Sequence, residues 1–578
     1  MSSSTNHQDE FTHQFTHSEF ERRNSIVYGS VGKGGLYIPQ DFIKKPSSAF
    51  ESDDEIESTP LLASAAGRKK STIDRDIINQ EREFLKDNHI AISQNEDEEV
   101  VRETFENVVK SKALPKTKPM VELKHLVKSS IPLVLTFLLQ NSLSTISVVS
   151  VGHLGATELA AVSMGAMTAN ITGYATIQGI ATALDTLCPQ AFGAQRYHLV
   201  GGYFQKCTAL IFTVMLPILF LWSFFGYEVI CLLVPDKETA KLSAEYLKYL
   251  VPGIPAYILF ECGKRFLQAQ GVYHISTYVL FIAAPSNVFM NFFFVSKIGY
   301  IGAPVAVAIN YWIMAIGLLI GTLYFVKPEQ TSSGLSPLVC WGGLDLKKAF
   351  SSWRKLLGLA IPGLVMIEAE FLAFEILTLM ASYLGTVALA AQSVGSTMAS
   401  LTYQVPFAIG IAASTRIANY LGAGLSGPAE VATKVALVFG LFISIFNFIV
   451  LFTFDRQIAD IFTDDEEVIA TIQEVMWLIA LMQVSDAMNA NSAGCLRGQG
   501  QTKIGGYVNL FSYYVVGIPL SIYISFYSPW KGSLHGLWIG SVTALTIIGV
   551  VQSYFALFAD FDKLCEDARN RTNNEINV

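Results

Sequence analysis

Residues 367–377, IEAEFLAFEIL, put Glu368, Glu370 and Glu375 inside an apolar run that extends from Leu357 to Leu384. An ionised carboxylate at the centre of a hydrocarbon layer costs at least ~2.5–3.5 kcal/mol, so these groups must face a protein interior or a water-filled cavity. A buried carboxyl that takes up a proton on one side and releases it on the other can couple proton flow to cargo. It needs neither metal nor nucleotide to do so. A structural ion pair is the competing use. No Lys or Arg occurs between residues 356 and 415, so a partner must come from elsewhere, with Lys264 and Arg265 as candidates. At about 100° per residue Glu368 and Glu375 share nearly one helix face, and Glu370 lies about 140° from Glu375. Glu368 reads as a third titrating group or as a residue turned towards the inner water. A fourth acid, Asp486, stands in LMQVSDAMNANSAGCLRG, whose Asn489 and Asn491 make the stretch polar enough to line a cavity. Interhelical hydrogen bonding is the other use of such residues.

The elements that position these acids follow from the apolar pattern. The chain has 578 residues, 51% hydrophobic and 15% charged, where a soluble protein carries about 25% charged residues. From Leu126 onward, twelve stretches reach the roughly 20 apolar residues that a membrane crossing requires. They run from 127–150 to 534–559; the second is read as 157–184, the seventh as 353–382, the eighth as 387–415 and the tenth as 471–495. Lys and Arg cluster in alternate loops, including Lys347, Lys348, Arg354 and Lys355 in the central one. That bias places both termini in the cytosol. The expected organisation is a polar cytosolic tail over 1–120, mostly disordered, a first lobe over 121–326 and a linker over 327–352. A second lobe over 353–560 and a short tail over 561–578 follow.

The chain also repeats itself. LGATELAAVSMG (154–165) matches LGTVALAAQSVG (384–395), and FLQAQG (266–271) matches CLRGQG (495–500). The offset of about 230 residues spans six helices, an even number, so the halves run in the same direction. The predicted fold is all-α: twelve transmembrane helices in two six-helix lobes related by a pseudo-twofold along the membrane normal. Small-residue runs such as AAVSMGAMTA allow close helix approach. Two such lobes around a central cavity fit an alternating-access transporter.

LDTLCPQAFGA (184–194), STRIANYLGAG (414–424), KRFLQAQG (264–271) and GCLRGQG (494–500) end the second, eighth, fourth and tenth helices. Together, over roughly 125–560, they resemble the eukaryotic branch of the multidrug and toxic-compound extrusion (MATE) family, with a fungal flavour in FECGKRFLQAQG. The resemblance implies a secondary antiporter that exports or sequesters organic cations, xenobiotics or metabolites in exchange for protons. Exchange for sodium, and flipping of a lipid or lipid precursor by a related fold, are the alternatives. The family pattern of two glutamates with four residues between them falls on Glu370 and Glu375, so resemblance and helix geometry stress different pairs. Glu370 and Glu375 are expected to carry coupling, a bend near Pro362 and Gly363 reconciling their faces, with Asp486 as the third acid. Asn170, Tyr403, Asn489 and Gln140 are the expected cavity residues. Asp185 is expected to cap or pair locally. The sequence departs from the animal pattern: FLAF, with Phe371 and Phe374, replaces a WWAY-type segment, and Thr397 stands where some animal members carry a glutamate. Those departures point to a metabolite or amphiphile as much as to an animal-type cation.

No phosphate loop, metal cluster or nucleophile motif occurs, which argues against an enzyme and implies no cofactor or metal. The seven cysteines are scattered singly, and nothing suggests nucleic-acid binding. No cleavable signal peptide opens the chain, so the first span would direct insertion. In the tail, ESTPLL places Glu57 before Leu61 and Leu62 at acidic-dileucine spacing, an address that a sorting adaptor could read. That favours the vacuolar membrane, with the plasma membrane as alternative. RRNS presents Ser25 as a basophilic kinase site. The expected partners are a small organic substrate, protons and the bilayer, and the chain is expected to act as a monomer.

Overall fold

The computed structural model describes residues 100–101, 117–152, 154–232, 236–331, 336–462, 466–528 and 532–573. Glu57, Leu61, Leu62 and Ser25 lie outside these residues. Among the described residues there is no strand. Twelve long helical passes account for most of the described residues. In the first lobe α1 is Pro119–Val151, and α2 joins Ala156–Ala169 to Thr176–Gly193 through a π-helical turn, Asn170–Ala175. Then α3 is Tyr197–Phe224, and α4 joins Lys237–Leu250 to Ile254–Ala269 across a 3-10 turn, Val251–Gly253. Next, α5 is His274–Ile298, and α6 is Gly302–Ile320 with a π turn, Gly321–Phe325. In the second lobe α7 is Arg354–Ser382, α8 Thr386–Gly422, α9 Ser426–Thr453 and α10 Glu466–Gln499. There α11 runs from Thr502–Leu510 through π turns to Tyr523–Tyr527, and α12 is His535–Leu557.

Eight described stretches are long and apolar enough to cross a membrane, one of them, His274–Phe325, holding both α5 and α6. The other three passes, α2, α4 and α8, escape that test because they carry polar residues. They can do so because they are interior helices: every residue from Thr176 to Gly193 in α2 except Gln178 is buried, and so is the run from Ala408 to Leu421 in α8. A helix walled by other helices needs no apolar exterior, and its polar groups find partners there.

The two lobes meet reciprocally at the end where α1 begins and α12 ends, the terminal end. Leu126 of α1 belongs to a core cluster otherwise made largely of second-lobe residues, among them Ile409, Tyr420 and Leu496. Leu356 of α7, its counterpart 230 positions later, belongs to the core of the first lobe with Leu187 and Phe266. The first halves of α1 and α7 are thus exchanged between lobes. The ends of α2 and α8 touch in the same reciprocal manner. A Cβ on Gly193 would stand 2.0 Å from the Asn419 carbonyl oxygen, and one on Gly422 would stand 2.1 Å from that of Gln190. Backbone can approach backbone this closely only where the side chain is a hydrogen. Thr186 Oγ1 donates to the Arg497 carbonyl at 2.5 Å, and Gln190 Nε2 to that of Gly498 at 3.4 Å. The helix Phe561–Asn573, which follows α12 where a tail was expected, seals the same end. Phe561 and Leu564 join the inter-lobe core, and Arg571 donates to Gln190 Oε1 at 3.2 Å.

The first half of α2, Ala156–Ala169, packs instead on α1 and α4 of its own lobe. The lobes therefore separate towards the opposite end, leaving a cleft closed at the terminal side. Gly193→Val is expected to wedge the terminal seam. The distance between spin labels replacing the exposed Lys348 and Lys434 should lengthen and broaden. An unchanged distance distribution would mean that the glycine contact does not hold the lobes together.

Candidate functional site

The three glutamates of α7 separate according to their helical angles. Over Arg354–Ser382 the helix keeps its α hydrogen-bonding pattern through Pro362. It is continuous α across Pro362 and Gly363, and at about 100° per residue Glu370 and Glu375 fall on different faces, contrary to the bend expected from sequence. All three carboxylates are half-buried.

Glu370 points into the second lobe. Asn489 and Tyr403 lie beside its carboxyl, and the Arg497 guanidinium lies within electrostatic reach. Asp486, one turn before Asn489 on α10, is buried and close enough to Glu370 for their charges to repel. Asp486 Oδ1 and Asn489 Oδ1 have no hydrogen-bond partner. Around this centre a polar chain crosses the lobe. Ser492 Oγ meets Gln552 Oε1 at 3.3 Å, Gln552 Nε2 donates to Asn509 Oδ1 at 2.8 Å, and Asn509 Nδ2 donates to the Met366 carbonyl at 3.2 Å. Tyr514 OH donates to the Ala369 carbonyl at 3.2 Å. These bonds fix the α7 backbone on both sides of Glu368 and orient Glu370 towards Asp486.

Glu368 faces the other way, across the cleft. Thr176 Oγ1 of α2 donates to Glu368 Oε1 at 2.9 Å. Glu375 stands nearer the open end of α7. Among the described residues no Lys or Arg forms a salt bridge with Glu368, Glu370, Glu375 or Asp486.

Lys264 and Arg265, the candidate partners for those glutamates, are engaged within the first lobe. Lys264 Nζ contacts Glu261 Oε1 at 2.9 Å, Arg265 Nη1 contacts Glu261 Oε2 at 2.5 Å, and Arg265 Nε lies 3.1 Å from Asp185 Oδ1. All four side chains are buried. Asp185 thus pairs locally, as expected. Glu261 went unnoticed in the sequence, although its spacing of three and four residues before Lys264 and Arg265 is that of helical ion pairs. Gln140 completes the cluster: its amide donates to Glu261 Oε1 at 2.7 Å and to Tyr257 OH at 3.3 Å, and accepts from Lys264 Nζ at 3.1 Å. Gln140 is the 230-position counterpart of Glu370, so the repeat carries a neutral amide in one lobe where the other carries an acid.

An aromatic bridge joins the two polar centres. Lys264 Nζ lies 4.9 Å from the Phe137 ring centroid, Phe137 meets Phe407 edge to face at 4.9 Å, and Phe407 stacks on Tyr403 at 5.5 Å. Structure therefore brings together Glu370, Asp486, Asn489 and Tyr403. It draws Gln140 into the other lobe's ion cluster and leaves Asn170 at the start of the α2 π turn, half-buried. A second ion pair also escaped the sequence reading. Arg416 of α8 contacts Glu122 of α1 through Nε at 3.0 Å and Nη2 at 3.2 Å, and Tyr420 OH donates to Glu122 at 2.6 Å.

The MatE family model matches the chain twice, over residues 132–293 and 362–523, the same 230-position offset that relates the lobes. An uncharacterized transporter of Saccharomyces cerevisiae is 43% identical over 447 residues, covering 77% of this chain and 62% of that relative, so the match spans under two thirds of its length. An uncharacterized transporter of Schizosaccharomyces pombe is 39% identical over 455 residues, covering 78% of this chain and 82% of the relative. The human multidrug and toxin extrusion protein 1 is 29% identical over 460 residues, covering 79% and 78%. Among solved structures, the eukaryotic MATE transporter AtDTX14 superposes with a TM-score of 0.72 at 28% identity, covering 78% of this chain and 99% of that one.

Proposed function

Because the chain belongs to the MatE family of transporters, we propose that it is a proton-coupled antiporter that moves small organic compounds out of the cytosol. The observation that carries this reading is the Glu370–Asp486 pair. Two carboxylates this close repel when both are charged, so a single proton between them is the low-energy arrangement. No basic side chain forms a salt bridge with either among the described residues. Cargo arrival and proton loss can then compete for one site. Asn489 and Tyr403 flank the Glu370 carboxyl. Glu375, nearer the open mouth, would collect protons from that side, and Tyr403 and Asn170 would contact cargo.

The first lobe supports a different role. Its four buried charges compensate one another, and Gln140 replaces the titrating acid, so that lobe would rock as a unit with fixed charge. Both termini would be cytosolic, and the open cleft would face the vacuolar lumen or the cell exterior. The vacuolar membrane is favoured.

The test is uptake into proteoliposomes under an imposed pH gradient, screening organic cations and metabolites. Collapsing the gradient should stop uptake, and a sodium gradient should not replace it. Glu375→Gln should lower the rate of gradient-driven exchange at low proton concentration on the open side and leave folding intact. Uptake equally fast for the variant across all external pH values would remove Glu375 from the pathway.

A further inference from the structure

The segment that joins the lobes carries a surface that antiport does not use. It leaves α6 after Phe325 and ends at Arg354, where α7 begins, so both its ends lie where helices emerge from the apolar layer. The segment is fastened to α3. Gly201 has no side chain where a Cβ would stand 2.2 Å from the Trp341 carbonyl oxygen, and Phe204 meets the Trp341 ring at 5.7 Å. Gln205 bonds twice: its Nε2 donates to the Gly343 carbonyl at 2.7 Å, and its Oε1 accepts from the Asp345 amide at 2.9 Å. Cys340 and Ala349 are buried, and Trp353 Nε1 donates to the Ala349 carbonyl at 2.8 Å, which closes the turn into α7. Held in this way, the segment turns large apolar side chains outwards. Leu338, Val339, Leu344, Leu346 and Phe350 are between 48% and 69% exposed. Tyr324 and Phe325, at the end of α6, are exposed as well. Lys347, Lys348 and Arg354 stand exposed among them. From Lys327 to Lys355 the chain has five Lys or Arg against two Asp or Glu. Asp345, the acid beside the lysines, accepts from the Lys348 amide at 3.1 Å.

Apolar side chains gathered on a surface that faces water mark a site of contact with something else. At a membrane boundary the arrangement is favourable: apolar groups enter the acyl edge while cations stay at headgroup level. We infer that residues 337–354 form an in-plane anchor that docks on anionic phospholipid of the bilayer. Leu344, Leu346 and Phe350 enter the acyl edge, and Lys347, Lys348 and Arg354 meet the charged headgroups. The excess of basic residues selects anionic over zwitterionic lipid, since each Lys or Arg near a negative bilayer surface strengthens binding about fivefold. The segment is bonded to α3 and runs directly into α7, so bound lipid sets the height of one helix from each lobe. The inference requires only that the chain spans a membrane, whatever cargo or ion it moves.

The test uses the purified full chain in phosphatidylcholine nanodiscs that hold increasing amounts of phosphatidylserine. A nitroxide is attached through Phe350→Cys, with the partly exposed thiols Cys231 and Cys565 replaced by serine. Its relaxation by oxygen and by a water-soluble nickel chelate reports depth. As phosphatidylserine rises, the label should become accessible to oxygen and shielded from nickel. Lys347→Gln combined with Lys348→Gln should raise the phosphatidylserine content needed for half-maximal shielding at least fivefold, the scale of one surface cation. Leu346→Ser, another change at an exposed position, should make the label shallower at every composition. A label that nickel reaches at all compositions would overturn the inference and leave the surface to a protein partner. Shielding that is complete in phosphatidylcholine alone and indifferent to the two lysines would overturn it as well, because apolar contact would then account for the depth without any anionic lipid.

Discussion

Glu370→Gln should reduce pH-gradient-driven exchange to the level of empty vesicles, yet leave cargo-for-cargo exchange measurable. The substitution keeps the size of the side chain and an oxygen that can accept from Asn489 and Tyr403, so the polar chain that ties α7 to α10 and α11 remains intact. What it removes is the ability to hold or release a proton. With a neutral amide beside it, Asp486 no longer feels a second charge, and the competition between proton and cargo that drives exchange disappears. Asp486→Asn should have the same effect for the same reason, and the double variant should be no worse than either single one, because the acids work as one centre. Gradient-driven exchange undiminished in Glu370→Gln would sink the assignment. Loss of both kinds of exchange would mean that Glu370 is needed for cargo itself.

Much of this architecture is legible in the chain because it is written in periodic patterns. Twelve apolar stretches and a 230-residue repeat gave helix count, lobe order and parallel symmetry. The helices differ from expectation mainly in length: α2 reaches Gly193 and α8 reaches Gly422, eight or so residues beyond the apolar stretch, because their last turns are buried between lobes and need not be apolar. Glu370 and Asp486 could be singled out separately because a mid-span acid is costly anywhere. That they share a site depends on how α7 packs against α10, which no local pattern encodes. The same limit hid Glu122 and Arg416, which lie 294 positions apart in different repeats. Lys264 and Arg265 are legible as candidate partners for the α7 glutamates, but the acid that engages them is Glu261, three and four residues earlier on their own helix. The π turn at Asn170–Ala175 follows from packing around Trp222, and only Gly173 hints at it.

Glu122→Gln should open the terminal end of the molecule more than it unfolds it. Glu122 and Arg416 are 2% and 5% exposed, joined by two hydrogen bonds, with Arg416 stacked 4.4 Å over the Tyr420 ring and Thr117 Oγ1 donating to Glu122 at 2.9 Å. The pair joins α1 of the first lobe to α8 of the second, across the terminal seam. Removing one partner from a buried pair costs about 3–5 kcal/mol, since the remaining charge stays out of water. In a one-state protein that cost would appear as lost stability. Here the cost falls on the closed arrangement, and separation of the lobes at the terminal end lets water reach Arg416 and relieves it. A shift of only ~1.4 kcal/mol changes the ratio of two conformations tenfold, so a fraction of the penalty suffices to reverse the preference. The expected result is a longer distance between labels at positions 348 and 434, with a melting temperature that falls less in lipid than the full penalty would require. Pairing Glu122→Leu with Arg416→Met should restore the short distance, since no charge is then left buried. A lowered melting temperature with an unchanged distance distribution would show the pair to be a structural brace, and the terminal seam would then rest on the glycine contacts of α2 and α8 alone.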